Sequence, residues 1–222
     1  GLFSALRPAQ YVAVDISVDF LRDCLTRLSA QWPGVTMRGL GIDFSQGLHW
    51  PDALTLDADR PRLMFYPGSS IGNFTPAEAL VFLRSLHAVA SQVPGGGLLI
   101  GVDLVKDTAS LEAAYDDALG VTAAFNRNVL RHVNRVLGSN FLVEDWRHVA
   151  HFDPEASRIE MHLQCLRDTR VWWPGGDRHF AAGTRIHTEN SYKWTVESFT
   201  ALLRDAVVQF RHAREQHLSS QK

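Results

Sequence analysis

The sequence predicts an α/β fold in which a mostly parallel sheet is followed by an antiparallel extension. Up to about residue 103, short apolar runs rich in β-branched residues alternate with segments of helical periodicity, as in strands joined by crossover helices. Beyond residue 140, long strand-like segments are separated by short turns that contain Pro or Gly, which favours antiparallel hairpins.

The first half of the chain predicts strands with helices between them. A helix with apolar residues at 3.6-residue spacing starts at Ser17 and stops near Trp32. Another helix starts at Thr75-Pro76, where Glu78 stands in the position of a capping box. The strands are expected over residues 11–16, 36–42, 62–66 and 98–102.

The second half of the chain predicts a broken helix and then long strands. The segment over residues 107–137 is helical in pattern and is interrupted at Gly120. Turns are expected at residues 153–154 and 174–176, and a final helix starts near Thr195. The strands are expected over residues 141–152, 157–172 and 180–193.

Composition and charge exclude several classes of partner. The 222 residues suffice for one domain with a sizeable core. The formal net charge of -2 is not offset by any basic block, so neither nucleic acid nor an anionic membrane is an expected partner. The sequence shows no signal peptide and no apolar run near membrane-spanning length, so we expect neither secretion nor membrane insertion.

Cysteine and histidine usage predicts neither a disulfide framework nor a metal site. Cys24 and Cys165 lie far apart in apolar segments, so we expect reduced thiols in a cytoplasmic protein. His148 and His151 are three residues apart, but no second pair of ligands has clear metal-binding spacing. No metal is therefore expected.

The stretch YPGSSIGNF, residues 66–74, concentrates small residues at the end of a predicted buried strand. Small residues let backbone groups approach a ligand closely, and ligands of open α/β sheets bind at strand ends. An ordinary connection between a strand and a helix is the open alternative.

Acidic residues follow two further strands of the predicted parallel sheet. Asp15 is placed like the acid that binds ribose hydroxyls in dinucleotide-binding folds, because a carboxylate accepts hydrogen bonds from both hydroxyls. Asp43-Phe44 offers an acceptor for an exocyclic amine beside a ring for stacking. Acids at strand ends also cap the following helix, so that reading stays open.

Five separated segments together carry a family resemblance. YPGSSIGNF, GVDLVKD, YDDALGVTAAFNRNVL, SRIEMHL and AAGTRIHTENSYK resemble, in order and spacing, the bacterial L-histidine Nα-methyltransferases of ergothioneine biosynthesis. The resemblance runs from about residue 11 to about residue 203. It implies a Rossmann-like class I methyltransferase core with an antiparallel substrate-binding extension, S-adenosylmethionine as cofactor, and trimethylation of the α-amino group of histidine to hercynine.

The resemblance also implies a division of the chain and its partners. Residues 1–137 would form the cofactor-binding core, residues 138–194 the substrate-binding extension, and residues 195–222 a C-terminal helix and tail. The expected substrate is the small molecule L-histidine, and the full-length protein is expected to be a monomer.

The roles of individual residues follow from the resemblance. Asp15 would bind the ribose, Asp43 and Phe44 the adenine, and Gly68 would lie beside both ligands. Asn73 and Tyr115 would hold the substrate's carboxylate and amino end. Glu189 and Ser191 would bind the imidazole ring. Thr122 and Met161 would lie near the pocket wall.

Each of these residues also has a structural reading without function. Tyr115 fits the surface of a helix, and Glu189 fits the solvent face of an alternating strand. Asn73 could end a loop, and Met161 has the spacing of a core residue. Asp116 and Asp117 resemble a carboxylate pair, but neighbours on a helix do not face each other, so local anchoring is favoured.

The chain departs from the family pattern at its front. The resemblance implies a preceding first strand and a glycine-rich cofactor loop, and the strand would lie between those starting at residues 11 and 62. We therefore expect a part of a longer protein, with unpaired interior strand edges, weak cofactor binding and low turnover.

Other functions remain open at the level of sequence. A methyltransferase with another amino-acid substrate would share the core. A catalytically silent module that binds histidine or the cofactor would suit the absent glycine loop. A dinucleotide oxidoreductase would also use Asp15.

Overall fold

The protein has a mixed α/β fold, which confirms the predicted fold class. The computed structural model describes residues 2–44, 51, 54, 56–57 and 59–219. The helices are α1 Leu2–Leu6, α2 Val18–Gln31, α3 Pro76–Ala90, α4 Thr108–Tyr115, α5 Val121–Leu137 and α6 Val196–Ser219. The strands are β1 Gln10–Asp15, β2 Thr36–Gly41, β3 Leu63–Tyr66, β4 Gly97–Ile100, β5 Trp146–Asp153, β6 Arg158–Cys165, β7 Thr169–Trp173, β8 Gly176–Phe180 and β9 Arg185–Tyr192.

The first half contains two parallel strand pairs, β1–β2 and β3–β4, which form separate sheets within the described residues. Asp15 pairs with Gly41, and Tyr66 pairs with Ile100, so both strands of each pair end at the same edge. The ring of Phe44, just beyond β2, contacts the ring of Tyr66 at 5.9 Å. The carboxyl ends of the two pairs therefore adjoin.

The predicted helix boundaries agree with the structure where local signals are strong. Thr75 and Glu78 form the predicted capping box, and Pro76 is the first residue of α3. Gly120 has a left-handed backbone (φ 69°) and separates α4 from α5. Asp117 accepts hydrogen bonds from the first two amides of α5, at 3.0 and 2.8 Å, so it anchors that helix as the local reading predicted.

The prediction of a single strand over residues 157–172 is wrong. This segment forms β6 and β7, which belong to different sheets: β5, β6 and β9 form one antiparallel sheet, and β7 pairs only with β8 among the described strands. The change of sheet occurs after Cys165. The next residue, Leu166, donates its amide to the Asp145 carbonyl at 2.8 Å, and the Arg167 guanidinium pairs with the Asp145 carboxylate.

Two further strand boundaries differ from the prediction for related reasons. The predicted strand over residues 141–152 begins only at Trp146, because Val143–Asp145 forms a 3-10 turn. The predicted strand over residues 180–193 divides into the last residue of β8 and all of β9. The intervening chain turns at residues 181–184, where the Thr184 amide donates to the Ala181 carbonyl at 3.0 Å.

The parallel and antiparallel halves are joined by a short bridge and a shared core. Leu104 and Trp194 form an isolated parallel bridge, in which the Val105 amide donates to the Trp194 carbonyl at 2.9 Å. The main buried cluster contains residues from both halves: Ile71, Ala79, Phe82, Leu83, Leu86, Tyr192, Trp194, Phe199 and Ala206. The segment after β4 is thereby held beside the end of β9.

The cysteines and the helices of the described residues bear on two further features of the chain. Cys24 and Cys165 are both free thiols, and Cys165 is buried, as predicted. In the part of the chain that the structure describes, no helix combines the length and apolarity needed to cross a membrane.

Candidate active site

An open pocket of about 490 Å³ lies at the carboxyl ends of β3 and β4. Its walls come from the loop after β3, the segment after β4, the end of α4, and β9. The lining residues are Gly68, Ser69, Ser70, Asn73, Gly101, Val102, Asp103, Tyr115 and Ser191.

The small residues of YPGSSIGNF serve close approach in two directions. Gly68 has φ 81° and faces open space, since a Cβ built there would have no atom within 4 Å. Gly72, in the 3-10 helix Ser70–Asn73, packs against β9: a Cβ there would lie 2.9 Å from the Tyr192 carbonyl oxygen. The glycine thus lets the loop carrying Asn73 contact the strand carrying Ser191.

Three side chains on β9 and the residues just after it lie on the same face of the strand. Glu189, Ser191 and Lys193 are spaced two residues apart, and successive side chains of a strand point to opposite faces. Ser191 pairs with Ile159 on the neighbouring strand β6. The pairing continues to Lys193, whose amide donates to the Ser157 carbonyl at 2.8 Å. Ser191 and Lys193 are both buried.

Tyr115, the last residue of α4, brings its hydroxyl to β9. Its Oη lies 2.7 Å from Ser191 Oγ. Its carbonyl accepts a hydrogen bond from His148 Nε2 at 2.7 Å, and Asn126 Nδ2 donates to His148 Nδ1 at 2.9 Å. These bonds fix the tautomer of His148, which carries its hydrogen on Nε2. The end of α4 is therefore held from the backbone as well as from the side chain.

Lys193 and the lining residue Asp103 belong to this site, and the sequence reasoning assigned neither of them to it. Lys193 Nζ donates to Tyr115 Oη at 2.7 Å and to Ser191 Oγ at 2.9 Å, and it lies 3.0 Å from Asp103 Oδ2. The alternation of β9 places Lys193 on the face of Ser191, which was a usable signal. The contact with Tyr115, 78 positions away, has no signal in a single sequence.

Electrostatic effects act in opposite directions on the two acids nearby. Burial by itself would raise the pKa of Asp103, but hydrogen bonds and charge from Lys106 and Lys193 outweigh it and lower that pKa. Burial raises the pKa of Glu189, and the positive charge of Lys193 opposes that effect only in part. Asp103 is thus held as a carboxylate, whereas Glu189 takes up a proton more readily than an ordinary glutamate.

The structure brings four predicted ligand residues to the pocket and leaves others outside its lining. Gly68, Asn73, Tyr115 and Ser191 line it. Glu189 is not among the lining residues, although it shares the face of Ser191. Met161 is buried in a cluster with Leu111, Phe152 and Ile159, against which Tyr115 packs. Thr122 lies in the first turn of α5, where its amide donates to Asp117.

The remaining predicted cofactor residues lie at the carboxyl ends of the parallel pairs, outside the pocket lining. Asp15 Oδ1 accepts a hydrogen bond from the Ser17 amide at 2.8 Å, which forms a turn before α2. The helix-capping role that the sequence left open is not seen, because the N-cap of α2 is Ser17. Asp43 is exposed, and the Phe44 ring packs at 5.8 Å from the ring of Phe82. A carboxylate has about four acceptor positions, so the Ser17 contact leaves Asp15 capacity for a diol.

The histidines of the described residues show no metal-binding arrangement. Within residues 2–44, 51, 54, 56–57 and 59–219, no group of three or more His, Cys, Asp or Glu side chains is placed to hold a metal ion. His148, one of the two histidines singled out in the sequence, uses both ring nitrogens in the bonds to Asn126 and Tyr115.

Comparison with known proteins places the chain among methyltransferases. Over residues 1–219 it matches the family described as histidine-specific, S-adenosylmethionine-dependent methyltransferases. It is 38% identical over 217 residues to the histidine N-alpha-methyltransferase of Mycolicibacterium smegmatis, covering 95% of this chain and 65% of that protein. It is 37% identical over 196 residues to the protein of the same name from Mycobacterium tuberculosis, covering 87% of this chain and 59% of that protein.

A fungal relative extends the comparison. The chain is 33% identical over 203 residues to ergothioneine biosynthesis protein 1 of Neurospora crassa, covering 89% of this chain and 22% of that protein. The chain spans less than two thirds of the length of each of these relatives. Because the match extends over nearly all of its residues, the chain belongs to the family of S-adenosylmethionine-dependent, histidine-specific methyltransferases.

Proposed function

We propose that the protein transfers methyl groups from S-adenosylmethionine to the α-amino group of L-histidine, with the trimethylated amino acid hercynine as product. The observation that carries the proposal is the convergence of Asn73, Tyr115 and Ser191 on one pocket at the end of β3. These residues come from three separate elements, and the resemblance assigns each of them a contact with the substrate. Their convergence supports a site built for one amino acid.

In this proposal the two ends of histidine are bound by different groups. Asn73 and Tyr115 donate hydrogen bonds to the substrate carboxylate, while Ser191 and Glu189 bind the two imidazole nitrogens. Thr122 and Met161 support the wall around the ring. A protonated imidazole beside Glu189 would oppose the effect of burial on the pKa of that acid, because an opposite charge favours the ionised carboxyl group. Ring protonation and substrate binding are therefore coupled.

The residues at the strand ends fit the cofactor. Asp15 would accept the ribose hydroxyls, Asp43 and Phe44 would bind the adenine, and Gly68 leaves room beside the pocket. When bound, S-adenosylmethionine supplies an electrophilic methyl group, so that an N–C bond forms as the S–C bond breaks. The protein's part is alignment of the amine, and proximity of this kind lowers barriers by about 7–11 kcal/mol.

The amine must lose its proton before attack, and the described residues that line the pocket include no strong base for it. Asp103 is the carboxylate among the lining residues, and Lys106 and Lys193 hold it in the ionised state with a lowered pKa. Such a carboxylate is a poor proton acceptor. We propose that the proton leaves to water.

We further propose a division of labour along the chain. Residues 1–137 bind the cofactor, residues 138–194 supply the substrate-binding strands, and the C-terminal unit over residues 195–222 contains α6; its last residues, 220–222, lie outside the described part of the chain. The location of the pocket between the end of β3 and β9 supports this division. The free cysteines support a cytoplasmic location, and the net charge of -2 supports a small molecule rather than nucleic acid as the partner. We also propose that the full-length protein is a monomer.

Product analysis tests the proposal directly. The purified protein is incubated with S-adenosylmethionine and histidine, and mass spectrometry is used to detect mono-, di- and trimethylated histidine. Parallel reactions with other amino acids should give no methylated product. Histidine binding without product would favour a silent binding module, and product from another amino acid would reassign the substrate.

A matched pair of variants tests the pocket. Asn73→Ala should weaken histidine binding in calorimetry by about 10- to 100-fold, because a hydrogen bond to a charged group contributes about 1.5–3 kcal/mol. Asn128→Ala changes an exposed asparagine on α5 and should leave the affinity unchanged.

S-adenosylhomocysteine should raise the melting temperature and NAD should not. Stabilisation by NAD would instead support the oxidoreductase reading.

A further inference from the structure

We propose that Lys193 is a positioning residue that orients the hydroxyl groups of Tyr115 and Ser191, so that Tyr115 donates to the substrate and Ser191 accepts from it. The inference rests on the proposed function, because it takes histidine as the ligand of this pocket. It assigns a role to a buried side chain that does not itself line the pocket.

The contacts of Lys193 use its full donor capacity. An ammonium group has three N–H donors and no acceptor. Lys193 Nζ lies 2.7 Å from Tyr115 Oη, 2.9 Å from Ser191 Oγ and 3.0 Å from Asp103 Oδ2. Its side chain is 1% exposed. With three partners and no access to solvent, Lys193 acts on the ligand only through the groups it holds.

These contacts restrict where the two hydroxyl hydrogens can point. Because Lys193 donates to both oxygens, neither hydroxyl can donate back to it. Tyr115 Oη and Ser191 Oγ are 2.7 Å apart, so one of them donates to the other. One hydroxyl hydrogen is consumed in that bond, and the pair therefore has one hydrogen left for the pocket that both residues line.

One of the two arrangements suits histidine at both ends. If Ser191 donates to Tyr115, the Tyr115 hydrogen is free for the substrate carboxylate. Ser191 Oγ then accepts from Lys193 and keeps its second lone pair for an imidazole N–H. In the other arrangement Tyr115 donates to Ser191, so the Ser191 hydrogen points to the ligand and the Tyr115 oxygen can only accept. The Tyr115 oxygen would then face the substrate carboxylate, and two acceptors would repel each other.

The position of the Tyr115 ring is held by the same lysine. Lys193 Nζ lies 4.5 Å from the centroid of the Tyr115 ring, a cation–π contact in addition to the hydrogen bond. Asp103 balances the charge of Lys193 and itself contacts Lys106 Nζ at 2.7 Å. Tyr115 on α4, Ser191 on β9 and Asp103 after β4 are thus fixed relative to one another by one buried group.

The test compares two lysines that share one carboxylate. Lys193→Met removes the charge and the hydrogen bonds to both hydroxyls while keeping an apolar side chain of similar length. Lys106→Met removes an exposed lysine that contacts the same Asp103. In calorimetry with histidine, we expect about tenfold weaker binding for Lys193→Met and a change of less than about twofold for Lys106→Met.

A double variant separates positioning from simple loss of structure. If Lys193 acts in part through the Tyr115 hydroxyl, Lys193→Met should cost less affinity in a Tyr115→Phe background than in the wild type, because that part of its effect is already lost. Full additivity of the two losses would overturn the inference. Circular dichroism confirms folding, and Lys193→Gln, which keeps an amide donor without charge, provides the second measurement if the methionine variant does not fold. It should bind with intermediate affinity, and binding equal to wild type would overturn the inference.

The outcomes for the wild type and the variant distinguish the two claims. A wild-type protein that does not bind histidine would refute the proposed function and this inference with it. A wild-type protein that binds histidine, together with an unchanged affinity in folded Lys193→Met, would refute the inference alone.

Discussion

Replacing Gly72 with alanine is expected to displace the loop that carries Asn73 from strand β9. The added Cβ would lie 2.9 Å from the Tyr192 carbonyl oxygen and 3.3 Å from Ser191 Oγ. The first distance involves a backbone atom of a strand paired with β6, which cannot move alone. Overpacking of this kind costs about 1–3 kcal/mol of the free energy of unfolding. At about 2–4 °C per kcal/mol, the melting temperature should fall by about 2–12 °C.

The same displacement should weaken ligand binding, because Asn73 and Ser191 line one pocket. Thermal denaturation followed by circular dichroism measures the first effect, and calorimetry with histidine measures the second. Gly97→Ala is the matched control: Gly97 lies in β4, and a Cβ there would have no atom within 4 Å. We expect that control to change the unfolding free energy by less than about 0.5 kcal/mol.

The reasoning would be refuted if the two alanine variants melted at the same temperature and bound histidine equally well. That result would mean that the loop and β9 can separate without cost. The packing of Gly72 against Tyr192 would then have no part in forming the pocket.

Asn126→Ala should lower the free energy of unfolding by about 1–3 kcal/mol, because it leaves buried His148 without its donor; chemical denaturation measures this, with exposed Asn128→Ala as control. Asp117 has its pKa lowered to about 2 by backbone amides of α5, so its contribution to stability is complete above about pH 3.8 and lost as pH falls through 2. Asp117→Asn should therefore flatten the melting temperature between pH 4 and 2, and an unchanged slope would contradict this. Burial raises the pKa of Glu189 above the ordinary value of 4.5, so this acid takes up a proton at a higher pH than usual. Affinity for histidine should fall as the pH decreases through that pKa, because the neutral acid no longer attracts the imidazole ring, and Glu189→Gln should abolish this step in a calorimetric pH series.

Local signals in the sequence predicted the helix boundaries well. Thr75, Pro76 and Glu78 form a capping box within four consecutive positions, and the structure confirms it. Gly120 breaks the long helical segment because its left-handed backbone suits glycine. Interactions of this range need no knowledge of the rest of the chain.

The strands after residue 140 were harder to delimit because their ends depend on distant partners. The alternation of apolar and polar residues continues through Cys165 and is then broken by four consecutive polar residues, 167–170, a local sign of a turn that the single predicted strand ignored. Nothing local shows, however, that β6 and β7 belong to different sheets. The transition is fixed by Asp145, which lies about twenty positions earlier in the chain and binds both Leu166 and Arg167. Such contacts exist only once the chain has folded.

The lining of the candidate pocket was predictable only in part, and its arrangement was not predictable from the sequence. The family resemblance pointed to Asn73, Tyr115 and Ser191, and the structure brings all three to one pocket. Lys193 escaped notice because a lysine beside a strand end usually faces solvent. Its burial follows from a contact with Asp103, 90 positions earlier in the sequence.

The bridge between Leu104 and Trp194 has a consequence for how the molecule moves. The bridge stands beside Asp103 and Lys193, so the seam between the parallel and antiparallel halves runs through the wall of the pocket. Any hinge motion that parts the halves must shear this bridge and break the contacts of the lysine together. Widening of the pocket mouth would therefore loosen the contact between the two halves, and a ligand bound to both walls would oppose both changes.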